Sequence, residues 1–197
     1  MRAKPKSNKA KPVALSQLRV IGGQWRSRKL SFPTIEGLRP TPDRVRETLF
    51  NWLQNAVPGA RCLDLFAGSG ALGIEALSRG AAHCNFVDIN SASCKTLKEN
   101  LTLLKCQDGS ISQSDTAQWL KKQALNNTDQ FDLVFLDPPF NKGFCQPLCQ
   151  QLTDSNLLSA GAYVYVETEP HVELNTPWRL HREKLSGQVH YRLYQVS

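Results

Sequence analysis

An acid, two prolines and a phenylalanine, Asp137-Pro138-Pro139-Phe140, follow directly on the apolar run Phe131-Asp132-Leu133-Val134-Phe135-Leu136. The run reads as a buried strand, and its carboxyl end is where an open α/β sheet keeps its ligands. Neither proline can donate a backbone hydrogen bond or continue the ladder. The chain must therefore leave the sheet in a fixed, extended conformation with its carbonyls free to accept. The Asp137 carboxylate, the Pro138 carbonyl and the Phe140 ring supply two acceptors for N–H and one stacking face. That set suits a planar base carrying an exocyclic amine. The plain alternative for Phe140 is a packing residue of the loop.

A second constellation stands in Cys62-Leu63-Asp64-Leu65-Phe66-Ala67-Gly68-Ser69-Gly70-Ala71-Leu72-Gly73, a glycine-rich turn between a strand and a helix. Gly68 and Gly70 allow backbone to approach a nucleotide cofactor closely, and Gly73 allows the helix to pack on the strand. The spacing G-x-G-x-x-G describes a nicotinamide dinucleotide site equally well. Asp64 separates the readings, because a carboxylate inside that strand suits the cationic end of a cofactor that carries no phosphate. S-adenosylmethionine, with its ammonium and sulfonium, is such a cofactor. Asp88, at the tip of the next strand, is placed to take two ribose hydroxyls, which both cofactors share. Asp115 could bond the adenine amine, although capping the helix that follows is the more ordinary role.

The elements that must hold these residues alternate along the chain. Periodicity predicts strands at 61–66, 83–88, 109–113, 131–136 and 161–167, with helices at 71–79, 91–104, 115–124 and 143–153. A mainly parallel, doubly wound α/β sheet of Rossmann-like type follows. Two final β runs, 178–185 and 189–196, turn at Ser186-Gly187 and form an antiparallel hairpin. Ahead of the sheet, two short β runs about Gly22-Gly23 predict a small ribbon. Thr41-Pro42-Asp43 then reads as N-cap, first-position proline and first-turn acid of a helix whose stripe is Val45, Leu49, Trp52 and Leu53. The chain thus divides into a basic tail over 1–17, an RNA-binding extension over 18–58 and a main domain over 59–197.

Charge supports that division. Residues 1–50 carry 12 Lys and Arg against 3 Asp and Glu, whereas the remainder carries 12 against 14. A basic excess confined to the first quarter suggests that this part meets polyanions. Arg26, Arg28 and Lys29, with no acid close in sequence, are candidates for RNA phosphates. Trp25 reads equally as a stacking platform and as the local core of the ribbon. Arg39, Arg44 and Arg46 fall near the start of the helix, where they line the substrate cleft or are simply solvated. The six cysteines show no C-x-x-C pair and read as reduced, mostly buried thiols with no metal site. Basic residues at the N-terminus are not followed by an apolar stretch, so neither a signal peptide nor a membrane span is expected, and a cytoplasmic monomer is the default.

Asp64-Leu65-Phe66-Ala67-Gly68-Ser69-Gly70 together with Asp137-Pro138-Pro139-Phe140 resembles the class I S-adenosylmethionine-dependent amino-methyltransferases. More narrowly, the chain from Leu18 onward resembles the RsmD family of bacterial 16S rRNA guanine-N2 methyltransferases. The resemblance is carried by Arg19-Val20-Ile21-Gly22-Gly23-Gln24-Trp25-Arg26, by Leu38 to Asn51 and by His181-Arg182-Glu183-Lys184 with Tyr191-Arg192-Leu193-Tyr194. It implies a seven-stranded sheet, S-adenosylmethionine as cofactor, and methylation of one guanine of 16S rRNA in an assembling small ribosomal subunit. The site it implies has Asp137, Pro138 and Phe140 at the chemistry. The cofactor would be held by Asp64, Phe66, Ala67, Gly68, Ser69, Gly70, Asp88, Ile89, Asp115 and Asp137. RNA would meet Arg19, Trp25, Arg26, Arg28, Lys29, Arg39 and Arg44. One departure is Asp88, where the family has Glu; the shorter acid bears on affinity rather than on function.

Three other readings stay open. A DNA adenine-N6 or cytosine-N4 methyltransferase would use the same acceptors, but only about sixty residues precede the sheet, which is small for a domain that reads base edges. A non-catalytic assembly factor has no need of Asp64, Asp88 and Asp137 together. An oxidoreductase would require a hydride-chemistry group that does not accompany the loop.

Overall fold

The computed structural model describes residues 14–34, 41–126 and 130–197. Most of the expected basic tail, and Arg39, lie outside the described residues. Five strands run parallel: β3 (Arg61–Asp64), β4 (His83–Asp88), β5 (Gly109–Gln113), β6 (Phe131–Leu136) and β7 (Leu158–Thr168). The C-terminal hairpin, β8 (Arg179–Ser186) and β9 (Val189–Gln195), completes one seven-stranded sheet in the order β5-β4-β3-β6-β7-β9-β8, with β9 antiparallel to both neighbours. This is the class I methyltransferase arrangement that the resemblance implied.

Alternating side chains sort the core into two layers, as strands covered on both faces require. Cys62, Phe86, Leu133, Phe135, Tyr165 and Leu193 face α1 (Asp43–Trp52), α2 (Ala71–Ser78) and α3 (Ser91–Leu103). Leu63, Leu65, Val134, Leu136, Val164 and Val166 face α4 (Thr116–Asn126) and α5 (Cys145–Thr153). The chain winds from β3 outward to β4 and β5, then returns to place β6 on the other side of β3. The carboxyl ends of β3 and β6 therefore flank the switch point where such sheets bind ligands. Asp64 lies opposite Phe135 in the ladder, which brings the glycine-rich turn beside Asp137.

β1 (Leu15–Arg19) and β2 (Lys29–Pro33) form a separate antiparallel ribbon. β1 starts inside the span expected to be tail. Nine residues join the two strands rather than a tight turn at Gly22-Gly23, and a 3-10 turn occupies Gly23–Trp25. Glu75 of α2 fixes this connection. Its fully buried carboxylate accepts N–H bonds from Ile21 and Gly22, both at 2.8 Å, and pairs with Arg79 at 2.7 Å. Trp25 packs, half-buried, against the main core. Gly23 sits at φ +74°, and a Cβ there would fall 1.7 Å from the Ser78 carbonyl oxygen.

The start of α1 departs from expectation. Pro42, not Thr41, occupies the cap, and no side chain caps the helix. The Pro42 carbonyl accepts from Val45 and Arg46, and the Thr41 hydroxyl is turned into the sheet instead. Arg46 is neither solvated nor in the cleft. It is 1% exposed, pairs with Asp43 at 2.6 Å, lies 3.6 Å from Glu75 and donates to the carbonyls of Thr41 and Arg19.

Candidate active site

After β3 the chain folds back at once: Ala67 N–H bonds the Val87 carbonyl and Gly70 N–H bonds Ala67. Gly70, in the left-handed region at φ +78°, caps α2. Gly73 meets the sheet so closely that a Cβ would fall 2.2 Å from the Phe86 ring. Both acids of this half are committed to backbone amides. Asp88 accepts from Gly68 N–H through one oxygen and from Asn90 N–H through the other, each at 2.7 Å. Asp64 accepts from Gly73 N–H at 3.0 Å and from Phe66 N–H. It lies buried beneath the turn. Burial raises its carboxyl to about 7, with the two amides opposing and Asp88 adding to the rise.

Around this turn, Ala67 and Ser69 are buried, and the Phe66 ring stacks on Phe144 at 6.1 Å. Ile89 is 69% exposed beside Asp88. Asp115 accepts from Gln118 N–H at 3.0 Å, the ordinary N-cap of α4.

After β6 the acids are placed differently. The Asp137 carboxyl is turned toward Glu167 at the end of β7. One hydroxyl, that of Thr41, lies 3.4 Å from Asp137 Oδ2 and 3.3 Å from Glu167 Oε1, and the Tyr165 hydroxyl donates to Glu167 at 2.8 Å. Burial raises both carboxyls; the nearby charges of Glu167 and Asp64 raise Asp137 further against the bond from Thr41, whereas at Glu167 the bonds from Tyr165 and Thr41 oppose the rise. A proton is thus retained more readily here than on surface acids. Sequence reasoning missed Thr41, Tyr165 and Glu167. The signal for Glu167 was present, an acid ending the apolar run Ala162 to Val166, as Asp137 ends Leu133 to Leu136.

Pro138 is buried and Pro139 exposed, so the chain crosses from sheet to surface within two residues. Phe140 is half-buried and, with Pro138, Phe144, Glu169 and His171, lines a cavity of about 230 Å³. Asn141 and Gly143 bend the loop through left-handed backbone, and Asn141 N–H bonds Glu169.

The expected RNA-binding residues do not gather in one place. Arg26, Arg28 and Lys29 are exposed, but the connection that carries the two arginines, with Lys29 directly after it, sits at the carboxyl ends of α2 and α3: Trp25 N–H bonds Ser78 Oγ and Arg28 lies 3.5 Å from the Leu103 carbonyl. Helices that run antiparallel to their strands end at the sheet's amino edge, opposite the switch point. Arg19 pairs with Asp43 at 3.1 Å, and Arg44 is exposed, both near the start of α1 and so near Thr41. Cys145 and Cys149 are buried thiols, each raised to about 12, chiefly by burial. Among the described residues, no helix is long and apolar enough to cross a membrane.

The sequence profile of the family described as Conserved hypothetical protein 95 matches residues 18–195. Ribosomal RNA small subunit methyltransferase D of Escherichia coli K12 is 47% identical over 91% of this chain and 90% of its own length. The chain belongs to this family of methyltransferases. The Haemophilus influenzae protein of the same name is 45% identical over 93% of this chain and 96% of its own. Among solved structures, yhhF of Escherichia coli, described as a proposed methyltransferase, superposes with a TM-score of 0.84 at 46% identity, covering 92% of this chain and 99% of that one. The family match begins at β1's Leu18 and so takes in the ribbon as well as the sheet.

Proposed function

We propose that this methyltransferase moves the methyl group of S-adenosylmethionine to the exocyclic N2 of one guanine in 16S rRNA, acting in the cytoplasm on an assembling small subunit. The observation that carries this reading is the meeting, at one switch point, of the glycine-rich turn after β3 with Asp137-Pro138-Pro139-Phe140 after β6. Relatives named for ribosomal RNA of the small subunit supply the substrate class. In this reading Gly68, Ser69 and Gly70 border the cofactor. Asp88 takes its ribose, Ile89 packs on its adenine, and Asp64 acts beneath the loop by fixing Gly73.

The N2 lone pair of guanine is delocalised into the ring and attacks poorly until the amine is pyramidalised. Asp137 and the Pro138 carbonyl accept its two hydrogens and turn the lone pair toward the methyl group, while Phe140 stacks on the base. Positioning then supplies much of the acceleration, and the base must leave its stack to be reached. The cofactor supplies the methyl group on a sulfonium that departs as a neutral thioether. The proton released by the new secondary amine has acceptors at hand in Asp137 and, through Thr41, Glu167.

Labelled methyl transfer to 16S rRNA, naked and in small-subunit particles, followed by mass spectrometry of the nucleosides, tests the proposal. N2-methylguanosine is expected. Label in another base, or in DNA alone, refutes it.

A further inference from the structure

β8 sorts its charges by face. Arg182 lies opposite Leu193 and Lys184 opposite Tyr191, whereas Glu183, between them, lies opposite Arg192. Ladder partners point to the same side of a sheet. Arg182 and Lys184 thus share the face of Tyr191 and Leu193, the face covered by α1, where Trp52 meets the Tyr191 ring at 5.5 Å. Glu183 goes to the other face, where it is bonded to His190 at 2.9 Å and lies 3.9 Å from Arg192. The one acid of this strand is therefore consumed on the side away from its two bases. Arg182 and Lys184 are exposed and have no acidic partner among the described residues.

The same face leads to the chemistry. Tyr191 lies opposite Glu167 in the β7–β9 ladder, and exposed Arg44 of α1 is close enough to act on the Tyr191 phenol. β8 is the open edge of the sheet and runs parallel to β7, so Lys184 is near the end that carries Asp137. By contrast, the basic connection of the ribbon sits at the opposite edge.

We propose that Arg44, Lys184 and Arg182 form a phosphate-binding strip that carries the RNA backbone across the α1 face to the mouth of the active site. Three positive groups that enter no ion pair among the described residues suit a polyanion, and β8 is a strand rather than a loop. The inference rests on the reading of RNA as substrate.

The test uses the full chain with Arg182→Glu and Lys184→Glu combined, a naked 16S rRNA transcript as probe, and Lys121→Glu on the far face as control. The double variant should bind the transcript roughly tenfold or more weakly at 0.1 M salt, with the slope of log affinity against log salt reduced by about two. Thermal unfolding and S-adenosylmethionine affinity should be unchanged, and Lys121→Glu should keep the parental slope. An unchanged slope in the double variant, or an equal fall in the control, overturns the strip. So does a loss seen on ribosomal particles but not on naked RNA, because that would make the partner a protein. Wild-type enzyme that methylates no RNA would instead refute the substrate reading, and is scored separately.

Discussion

Asp64 and Asp88, at the ends of β3 and β4, receive four backbone N–H bonds between them; Asp137 and Glu167, at the ends of β6 and β7, share one threonine hydroxyl, with one tyrosine added at Glu167. The first pair is satisfied by the fold itself. Its oxygens set the shape of the glycine-rich turn before any ligand arrives, which is what a preformed binding loop requires. The second pair is short of donors for one buried and one half-buried carboxyl, and an exocyclic amine brings the hydrogens that Asp137 lacks. The same residue type thus builds a mould in one half of the site and a receptor for N–H in the other.

The sharpest test of that division is Asp137→Ala. Methyl transfer should fall by on the order of a thousandfold, within the usual range for a positioned acceptor or base, while calorimetry shows cofactor affinity retained. Loss of cofactor binding in the same variant would erase the distinction between the halves. Asp88→Ala should do the reverse. Freeing the Gly68 and Asn90 amides should weaken S-adenosylmethionine roughly 10- to 100-fold, the cost of one or two unsatisfied groups, with kcat at saturating cofactor nearly kept.

Glu167→Gln tests whether the second pair acts as a unit. Without a neighbouring carboxylate, Asp137 should ionise at lower pH, and the acid limb of the kcat profile should move down by about one unit. An unmoved limb would mean that the two acids titrate independently. The smallest effect is on stability. Carboxyls raised by burial hold protons in the folded state that the unfolded chain has already lost, so between the ordinary carboxylate range and about pH 7 stability should fall as pH rises. Urea midpoints at pH 5 and pH 8 measure this, and Asp64→Asn should flatten the slope.

What was legible in the sequence follows from range. β3 to β6 and their helices appeared from periodicity because a doubly wound sheet buries each strand locally. Gly73 was readable because a helix tight on a strand admits no Cβ. Thr41 was misread as a cap because Thr-Pro-Asp satisfies the local rule; its hydroxyl is claimed instead by acids 96 and 126 residues away. Arg46 read as a cleft-lining or solvated residue, and only Glu75 together with the folded ribbon makes it core. Trp25 could not be placed before it was known that Gly23 presses on the end of α2. Arg26, Arg28 and Lys29 were chosen by charge, which does not register which edge of the sheet a loop reaches.

α2 has the glycine-rich turn at one end and the ribbon's anchor at the other, only eight residues apart, roughly 12 Å of helix. A helix of barely two turns, held at both tips, makes one rigid piece of the ribbon's anchor and the cofactor loop's first helical residue, so the two cannot be positioned independently.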